Sequence, residues 1–486
     1  MRLCVSITES RAEAAVEAGV RAVELGADLV EIRFDQLDHL PQDLTAFSKI
    51  HAPKIATLRT APQGGKFAGK EADRLTFFQR ASRAGFEYLD LEHDSVLLGK
   101  LDREEARRIA SYHDFEGTPP AAVILDLLVK AGSRADLPKA AFKINGMGDI
   151  LNLVDASRMY RSTGNDFILV GMGEKGVLTR VCSDQIGSAF TYCSLETGKE
   201  SAPGQLDIRS MAPLKQKRTV AGVVGASLSH SLSSFMHNAA FAELGMAGRY
   251  LKLETKKEEL EDLLQVAIEL ELRGFNVTIP YKEDIISFLD RLDDSAVRVG
   301  AVNTVLLDEG TFTGFNTDIY GVEMTFRSAD ISPKGKRCLI VGAGGAAKAV
   351  CAYLLSAGGR IAITNRTPEK ARTLASGIKG ARAIGTDMAA QEGFEIIVNC
   401  TPLGMKGYPD ELAIDPAVFR AGQFFMDTIY NPPKTRLQAE AEKRGATVRN
   451  GETMLLHQAI RAFEIWTGKR PLESTMLSAL RGAMAP

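Results

Sequence analysis

Ionisable side chains stand at or just after the ends of several short apolar runs in the first half of the chain. The candidates for chemistry among them are Glu31, Arg33, Arg59, His113, Lys139 and Arg180. A lysine that is desolvated among other cations has a lowered pKa and can attack a ketone, and a nearby histidine can move protons. The excess of cations suits a substrate that carries a carboxylate. The set therefore indicates imine chemistry on a carboxylated ketone.

Two alternatives stay open for these residues. Lys143 lies four residues after Lys139 and competes with it as the nucleophile. Each ionisable residue, taken alone, is explained equally well by a structural ion pair. Only the convergence of several such residues at one end of the fold favours an active site. The acidic pair Asp90 and Glu92 ends another apolar run and receives no assigned role.

The second half contains a glycine-rich turn typical of dinucleotide binding. The stretch CLIVGAGGAAKAV, residues 338–350, predicts a strand, a Gly-x-Gly-x-x-Ala turn and then a helix. Such a turn lets the backbone approach a pyrophosphate at the helix N-terminus. The next predicted strand, 360–364, is followed by Arg366, where an NAD site would usually have an acid. An arginine suits a 2′-phosphate, so the cofactor predicted is NADP; a solvated surface arginine is the alternative.

Polar clusters with one lysine and one aspartate occupy the middle of the chain: Ser231, Ser233, Asn276, Thr278, Lys282, Asn303 and Asp318. A single serine or asparagine cluster usually reflects turn chemistry. Several clusters around a lysine and an aspartate favour a second site.

The elements that must position these side chains are indicated by an alternation of short apolar runs and amphipathic stretches. Eight predicted strands precede residue 207: 3–7, 29–33, 54–59, 88–92, 109–113, 137–142, 167–171 and 188–193. Eight β/α units favour a (β/α)8 barrel, in which the active site lies at the C-terminal ends of the strands.

The polar segment 207–217 predicts the main domain boundary, because it has a proline, three basic residues and little periodicity. The predicted fold class is therefore α/β, with an N-terminal barrel over 1–211. A substrate-binding α/β domain follows over 218–317 and is completed by C-terminal helices in 453–486. A Rossmann-type NADP-binding domain occupies 318–452.

Composition narrows the class of protein. Among 486 residues, 59 Lys and Arg balance 61 Asp and Glu for a net charge of −2, which argues against a nucleic-acid-binding protein. The longest apolar stretch, 338–359, contains Lys348 and several glycines, so no membrane span is predicted. No secretory or transit segment is recognisable, which predicts a cytoplasmic location. The cysteines and histidines lack CxxC and HxxxH spacing, so neither a disulfide framework nor a zinc site is expected.

Six short motifs in the first half carry a family resemblance: EIRFD (31–35), TLRT (57–60), SYHDFEGTP (111–119), ADLPKAAF (135–142), GVLTR (176–180) and SAPGQ (201–205). They resemble those of the type I 3-dehydroquinate dehydratases. The resemblance implies that Lys139 forms a Schiff base with the ketone of 3-dehydroquinate and that His113 is the general acid and base. It also implies substrate contacts from Glu31, Arg33, Arg59, Arg180, Ser201 and Gln205.

One position departs from this pattern. Gln63 stands where the family usually has a glutamate. A glutamine cannot take a proton, although it can still hydrogen-bond a substrate. The substitution therefore argues against a second acid or base near His113 and predicts a slower dehydration.

The polar clusters of the middle segment, together with GAGGAA, NRT, NCTPLGM (399–405), DTIYNPPKT (427–435) and NGETMLLHQAIRAFEIWTG (450–468), resemble the shikimate dehydrogenase family. The resemblance implies that Lys282 protonates a developing alkoxide and that Asp318 orients the lysine. Ser231 and Ser233 would hold the substrate carboxylate, although Ser227 and Ser234 replace prolines of the family. The further implied substrate contacts are Asn276, Thr278, Asn303, Tyr430 and Gln458. The implied cofactor contacts are Gly342, Ala343, Gly344, Gly345, Ala346, Asn365, Arg366, Thr367, Thr401 and Gly451.

The two resemblances together predict a fused bifunctional enzyme that converts 3-dehydroquinate to 3-dehydroshikimate and then, with NADPH, to shikimate. The expected partners are these small molecules, with no nucleic acid and no membrane, and the oligomeric state stays open. One alternative is a barrel made inactive by Gln63, which leaves only the dehydrogenase. The other is a non-enzymatic sensor of metabolites, against which the presence of Lys139, Lys282 and Asp318 speaks.

Overall fold

The computed structural model describes residues 1–102 and 104–484 of the chain. The chain divides into two compact units. The first comprises residues 1–220, 246–251 and 255–272, and the second comprises 221–245, 252–254 and the chain from 273 onward. The three predicted domain ranges stay predictions.

Eight parallel strands form the sheet of the first unit: β1 Leu3–Ile7, β2 Leu29–Arg33, β3 Lys54–Thr57, β4 Tyr88–Glu92, β5 Arg107–Asp114, β6 Leu137–Lys143, β7 Ile168–Met172 and β8 Thr191–Ser194. Their order is β7-β6-β5-β4-β3-β2-β1-β8. At the two ends of this order, Ser188 Oγ donates to Leu169 O at 2.9 Å and Ala189 N donates to Phe167 O at 2.8 Å. The sheet is thus a nearly closed barrel, which confirms the predicted (β/α)8 class.

Among the described residues up to 220, seven α-helices accompany these strands: α1 Ala12–Glu24, α2 Glu71–Arg83, α3 Ala121–Arg134, α4 Met147–Arg161, α5 Val177–Val181, α6 Ser183–Ile186 and α7 Ile208–Met211. Short 3-10 turns, not α-helices, follow β2 and β4. In α1 the buried residues Ala15, Val16, Gly19 and Ala22 recur at helical spacing. Gly19 allows close packing on Ile50, because a Cβ there would lie 2.4 Å from Ile50 Cδ1.

The interior of the barrel is filled by alternate residues of its strands. These residues are apolar, and they form one buried cluster inside the barrel. The cluster includes Cys4, Leu29, Ile55, Tyr88, Ile109, Leu137, Ile168 and Tyr192. Since parallel strands are buried on both faces, their sequences are nearly continuous apolar runs. The filled core leaves the polar strand ends to form a mouth.

The middle of the chain forms six strands: β9 Thr219–Gly225, β10 Gly248–Glu254, β11 Gly274–Val277, β12 Arg291–Leu292, β13 Thr304–Asp308 and β14 Thr311–Phe315. Within the second unit, β9 pairs in parallel with β11, and β11, β13 and β14 are antiparallel neighbours. The helices of this segment are α8 Ser233–Glu243, α9 Leu260–Glu269, α10 Asp294–Val299 and α11 Asp318–Ser328. In this part of the second unit, Lys282 lies between β11 and β12, and Asp318 is the first residue of α11.

A third sheet is fully parallel and has the order β17-β16-β15-β18-β19-β20. Its strands are β15 Arg337–Val341, β16 Arg360–Thr364, β17 Arg382–Ala383, β18 Ile396–Asn399, β19 Phe424–Asp427 and β20 Thr447–Arg449. The accompanying helices are α12 Gly345–Ser356, α13 Pro368–Ser376 and α14 Arg436–Lys443, followed by α15 Glu452–Thr467 and α16 Glu473–Met484. The 3-2-1-4-5-6 order is that of a doubly wound nucleotide-binding sheet, which confirms the predicted Rossmann-type class.

The described residues contain no helix long and apolar enough to cross a membrane and no cluster of three side chains that could ligate a metal. All six cysteines are free thiols, five buried and one partly buried. Burial raises the pKa of the Cys182 thiol to about 12, so this cysteine stays protonated.

Candidate active sites

Lys139 is the third residue of β6 and is 6% exposed. Its Nζ donates a hydrogen bond of 2.9 Å to Asp90 Oδ2 on β4. Asp90 also accepts hydrogen bonds from Arg59 Nη2 and Ser111 Oγ, each 2.7 Å long. Burial alone would raise the pKa of Asp90, but Arg59 and Lys139 hold it well below its usual range. The carboxylate is therefore charged and fixes two cations at the barrel mouth.

His113 lies near the C-terminal end of β5, in register with Ala141 on β6. Burial of the imidazole and the charges of Arg59 and Lys139 hold its pKa well below the usual range. The ring is therefore neutral and can accept a proton. Its Nδ1 has no hydrogen-bond partner among residues 1–102 and 104–484, and the ring stacks on Phe115 with centroids 6.1 Å apart.

The two residues predicted from the end of β2 have different partners. Glu31 accepts hydrogen bonds from Ser6 Oγ and, at 2.8 Å, from Thr57 Oγ1. Arg33 donates two hydrogen bonds of 2.9 and 2.8 Å to the Asp35 carboxylate. Both side chains line the same cavity as Lys139. The acid is held by hydroxyl groups, and the guanidinium is oriented by a neighbouring carboxylate.

Arg180 is a buried cation in helix α5, only 3% exposed. Burial lowers the pKa of its guanidinium to about 10, and its Nη1 donates to the Tyr192 carbonyl at 3.5 Å. Within the described part of the chain it forms no ion pair, so a bound carboxylate would supply the missing anion. Beside it in the cavity wall, Gln205 Nε2 donates to Ser201 Oγ at 2.9 Å.

One cavity at the mouth of the barrel thus collects every dehydration-site residue expected from the sequence. Its lining includes Glu31, Arg33, Arg59, His113, Lys139, Arg180, Ser201 and Gln205. Gln63 also lines it, with an Oε1 that has no partner in the described structure. The alternative nucleophile Lys143 is exposed and lies outside this lining.

Sequence reasoning missed two members of this site. Asp90 was noted at a strand end but received no role, although it is the anion that joins Lys139 and Arg59. Tyr192 on β8 was not considered, and its ring centroid lies 4.3 Å from Lys139 Nζ. The alternation of side chains along β4 was the only sequence signal for Asp90. No sequence signal distinguished Tyr192 from an aromatic residue of the core.

A second site in the second unit is built on a lysine–aspartate pair. Lys282 Nζ lies 2.5 Å from Asp318 Oδ2. Asn303 Nδ2 donates to Asp318 Oδ1 at 2.8 Å, so both carboxylate oxygens are occupied. Asp318 is the first residue of α11 and is 6% exposed, a position in which the helix dipole favours its negative charge.

Amide and hydroxyl groups extend this pair into a buried network. Asn276 Nδ2 donates to Asn303 O at 3.1 Å and to Thr304 Oγ1 at 3.0 Å. Asn303 Nδ2 also donates to Thr317 Oγ1 at 3.0 Å. The network ties the end of β11 to the start of α11, so two of the predicted substrate contacts lie next to the Lys282–Asp318 pair.

In the described structure, the other predicted substrate contacts share no hydrogen bond with this network. Ser231, Ser233 and Thr278 are partly buried, and Tyr430 has a pKa raised by burial. Gln458 Nε2 donates to Leu455 O within α15. In the described structure, none of these five bonds Lys282 or Asp318, and their grouping around a substrate stays a prediction.

The glycine-rich turn lies between β15 and α12. Gly342 has φ +115°, and a Cβ there would lie 3.1 Å from the Cys400 carbonyl group, so only glycine fits this turn without strain. At Gly344 a Cβ would meet nothing within 4 Å. A Cβ on Gly345 would lie 3.4 Å from Lys282 Cδ, which places the turn beside Lys282.

Residues after neighbouring strands complete this cradle. Gly342, Ala343, Gly344, Gly345 and Ala346 form the turn and the first turn of α12. Thr401 N and Oγ1 both donate to Asn399 Oδ1 after β18. Gly451 is the N-cap residue just before α15, and a Cβ there would lie 2.1 Å from Thr428 O. The open backbone of this cradle fits a pyrophosphate.

The predicted 2′-phosphate contacts follow β16. Asn365 Nδ2 donates to Thr367 O at 2.9 Å and shapes the loop. Arg366 is exposed and forms no ion pair in the described chain. A free guanidinium next to the dinucleotide cradle fits the extra phosphate of NADP.

A lysine-bearing barrel site and a lysine–aspartate site beside a dinucleotide cradle define a two-part α/β enzyme. Family models match four segments: type I 3-dehydroquinase at residues 3–216, the shikimate dehydrogenase substrate-binding domain at 223–305, shikimate/quinate 5-dehydrogenase at 325–402 and the shikimate 5′-dehydrogenase C-terminal domain at 451–481. The chain is 32% identical to the chloroplastic bifunctional 3-dehydroquinate dehydratase/shikimate dehydrogenase of Arabidopsis thaliana, over 96% of this chain and 82% of that protein. The chain belongs to the bifunctional 3-dehydroquinate dehydratase/shikimate dehydrogenase family.

Single-function relatives match the second half. The shikimate dehydrogenase (NADP(+)) of Moorella thermoacetica is 40% identical, over 56% of this chain and 96% of that protein. A solved shikimate dehydrogenase in complex with NADP+ matches with a TM-score of 0.53 and 38% identity, over 56% of this chain and 97% of its own. That of Aquifex aeolicus matches with a TM-score of 0.52 and 34% identity, over 55% and 98%.

Proposed function

We propose that the barrel dehydrates 3-dehydroquinate to 3-dehydroshikimate and that the second half reduces this product to shikimate with NADPH. The observation that carries the first activity is Lys139, buried at the barrel mouth and bound to Asp90 at 2.9 Å. The observation that carries the second is the Lys282–Asp318 pair beside the glycine-rich turn. The two activities use different lysines in different compact units.

Dehydration begins at Lys139. Lys139 first releases a proton, and its neutral amine adds to the ketone carbon. This proton leaves with the resulting hydroxyl group as one water, which gives a protonated imine between the substrate and Nζ. The positive nitrogen then accepts the electron pair released when a proton leaves the adjacent carbon. The resulting enamine expels the β-hydroxyl group as water, and hydrolysis consumes one water and returns the free lysine.

His113 is the group that moves these protons. Its imidazole is neutral because burial and two nearby cations lower its pKa. It therefore takes the proton from the carbon next to the imine and delivers a proton to the leaving hydroxyl group. Gln63, which lines the same cavity, binds the substrate by hydrogen bonds without carrying a proton.

Arg180 and its neighbours hold the substrate in place. The guanidinium is buried and lacks an anionic partner within the described chain, so the substrate carboxylate satisfies it. Ser201 and Gln205 stand beside it in the cavity wall, and Glu31, Arg33 and Arg59 are left to contact the ring oxygens. This division follows from the ion pairs, because Arg33 is already paired with Asp35 and Arg59 with Asp90.

Ketone reduction uses Lys282 as the proton donor. NADPH supplies a hydride to the carbonyl carbon when it is bound. As negative charge develops on the carbonyl oxygen, the Lys282 ammonium donates its proton to that oxygen. Asp318 orients the ammonium at 2.5 Å, and Asn303 orients Asp318 at 2.8 Å.

The chain holds the dinucleotide through backbone and side-chain groups of the third sheet. Residues 342–346 would hold the pyrophosphate at the start of α12, and Asn365, Arg366 and Thr367 would contact the 2′-phosphate. Thr401 and Gly451 would supply further contacts to the dinucleotide. Ser231 and Ser233 bind the carboxylate of the ketone, and Asn276, Thr278, Tyr430 and Gln458 contact its hydroxyl groups.

The experiment that tests the barrel assignment is reductive trapping. Borohydride added with 3-dehydroquinate should attach the substrate mass to the peptide that contains Lys139. The exposed Lys143 lies four residues on, so Lys143→Ala is a matched control that should still be trapped. Mass on Lys143, or no mass at all, overturns the assignment.

We propose separately that the protein is located in the cytoplasm. The sequence predicts the cytoplasm, whereas the Arabidopsis relative is named chloroplastic. Fractionation of the native cells, followed by assay of both activities, tests this. Activity confined to an organelle or an extracytoplasmic fraction contradicts it.

A further inference from the structure

Tyr192 is a large aromatic residue of the dehydration cavity without a role in the chemistry above. It belongs to β8, lines the same cavity as Lys139 and is 5% exposed. Its ring centroid lies 4.3 Å from Lys139 Nζ. A cation within about 6 Å of an aromatic centroid is attracted by the negative face of the ring, more strongly when it is desolvated.

We propose that Tyr192 is a positioning residue of the dehydratase, whose ring face stabilises the positive charge on the reacting nitrogen. This inference rests on the proposed role of Lys139. The nitrogen is positive twice in the reaction, first as the resting ammonium and later as the protonated imine. Since Nζ stays tethered to β6, the ring faces both forms.

The hydroxyl group of Tyr192 is not the part that acts. Its oxygen is buried and has no hydrogen-bond partner in the described residues. Burial first, and then the nearby acid Glu31, raise the pKa of this phenol well above its usual value. A neutral phenol brings no charge to Lys139, which leaves the ring face as the interacting group.

Other charged groups also face the reacting nitrogen and set the background for this effect. Asp90 on β4 accepts its hydrogen bond, and further titratable groups come from the neighbouring strands and loops. These are Cys4, Glu31, Arg33, Arg59, His113 and Arg180. Asp90 supplies the anion and the arginines oppose the ammonium, so the ring adds to an existing balance and does not replace it.

The proposal predicts that loss of the ring destabilises both positively charged forms of Lys139 and that the early and late steps respond in opposite directions. Loss of the ring removes an attraction to the ammonium but not to the free amine, so trapping at Lys139 should begin at a lower pH. Loss of the ring also destabilises the protonated imine, so the later steps slow down. A residue that only fills the core would lower stability without moving the pH profile.

The test measures the rate of cyanoborohydride trapping at Lys139 as a function of pH in the full-length protein. In Tyr192→Leu the acidic limb should move down by about one pH unit, and the saturated dehydration rate should fall about tenfold. Tyr192→Phe keeps the ring, and its acidic limb should stay within about a third of a unit of the wild type. Tyr192→Met is measured in parallel, so a failure of the leucine variant to fold leaves the comparison intact.

A matched control comes from the same apolar cluster. Tyr88 is buried beside Phe190 and contacts the guanidinium of Arg107, not Lys139. Tyr88→Leu should lower stability without moving the acidic limb. The ketone-reducing activity of each variant reports that the rest of the chain is folded.

The outcomes separate this inference from the proposed function. No trapping at Lys139 in the wild-type protein overturns the proposed function. Trapping at Lys139 with unshifted limbs in Tyr192→Leu and Tyr192→Met overturns the role of the ring alone. An equal shift in Tyr192→Phe assigns the effect to the hydroxyl group and also overturns it.

Discussion

Asp90→Asn is the substitution that most sharply tests how the dehydration site is held together. The carboxylate is buried and accepts hydrogen bonds from Lys139, Arg59 and Ser111. The amide keeps the shape of the side chain but removes its charge. Lys139 and Arg59 then lose the carboxylate that both of them bond in this buried site.

The expected magnitude follows from these contacts. Removing one partner of a buried ion pair costs about 3–5 kcal/mol of stability. Lys139 can shed its proton and escape part of this cost, whereas Arg59 cannot, so we expect about 3 kcal/mol. Loss of one charge-assisted hydrogen bond that orients Lys139, worth about 1.5–3 kcal/mol, should slow dehydration about tenfold to a hundredfold.

The stability effect also has a defined pH dependence. Arg59 and Lys139 lower the pKa of Asp90 in the folded protein, whereas an unfolded aspartate titrates near about pH 3.9. The stabilisation by Asp90 is therefore fully present above about pH 4 and is lost as the pH falls through the folded value. The difference in unfolding free energy between wild type and Asp90→Asn should shrink in acid.

The assay combines urea unfolding at several pH values with dehydration and ketone-reduction rates on the same preparations. Asp94→Asn is the matched control, because the Asp94 side chain is 77% exposed four residues further on. The control should behave as the wild type, and ketone reduction should persist in both variants. Wild-type dehydration by a folded Asp90→Asn protein refutes this account of the site.

Four further expectations concern the two sites and their independence. Lys282→Ala should abolish ketone reduction while dehydration persists, and a joint loss in a folded variant contradicts the separation of the sites. Arg366→Ala should weaken NADPH binding about tenfold to a hundredfold and spare NADH; equal losses argue against a 2′-phosphate contact. Gln63→Glu should speed dehydration if a second proton carrier helps, and an unchanged rate shows that the histidine base suffices. Fragments 1–211 and 212–486 should each keep one activity, measured after separate expression; loss of dehydration in a soluble first fragment places the boundary elsewhere.

The cut between these fragments divides the first compact unit. Contacts within that unit are lost, so the first fragment should be less stable than the full chain. Arg158 on α4 pairs with Glu269 on α9 at 2.6 Å, and Gln185 bonds Glu271 at 3.2 Å. The Arg158 side chain is 60% exposed, so such pairs contribute about 0–1 kcal/mol each. The cut also removes the buried side chains of Leu214 and Arg218 from the first unit, so the first fragment should melt below the full chain but stay folded.

The strand framework was predictable from the sequence because buried parallel strands are short apolar runs. The predicted strands 3–7, 29–33 and 88–92 coincide with the observed ones. The connections were harder to predict. The links after β2 and β4 contain 3-10 turns. The sequence did not predict these turns, because an alternation of apolar and charged residues does not distinguish a helix from a packed loop.

The composition of the sites was also largely predictable, but their internal contacts were not. Lys139 and His113 stand in short motifs of distinctive residues, whereas Asp90 meets Lys139 across 49 positions of sequence. A carboxylate at a strand end is equally compatible with solvent exposure, a surface pair or a buried bridge. Only the barrel register, which brings β4, β5 and β6 side by side, decides among them.

The most direct test of the central claim is a coupled assay with the intact chain. Purified protein is given 3-dehydroquinate alone and then NADPH, and both intermediates are followed by mass. We predict 3-dehydroshikimate without the cofactor and shikimate once NADPH is added. Failure to turn over 3-dehydroquinate while added 3-dehydroshikimate is reduced would show an inactive barrel and contradict the account.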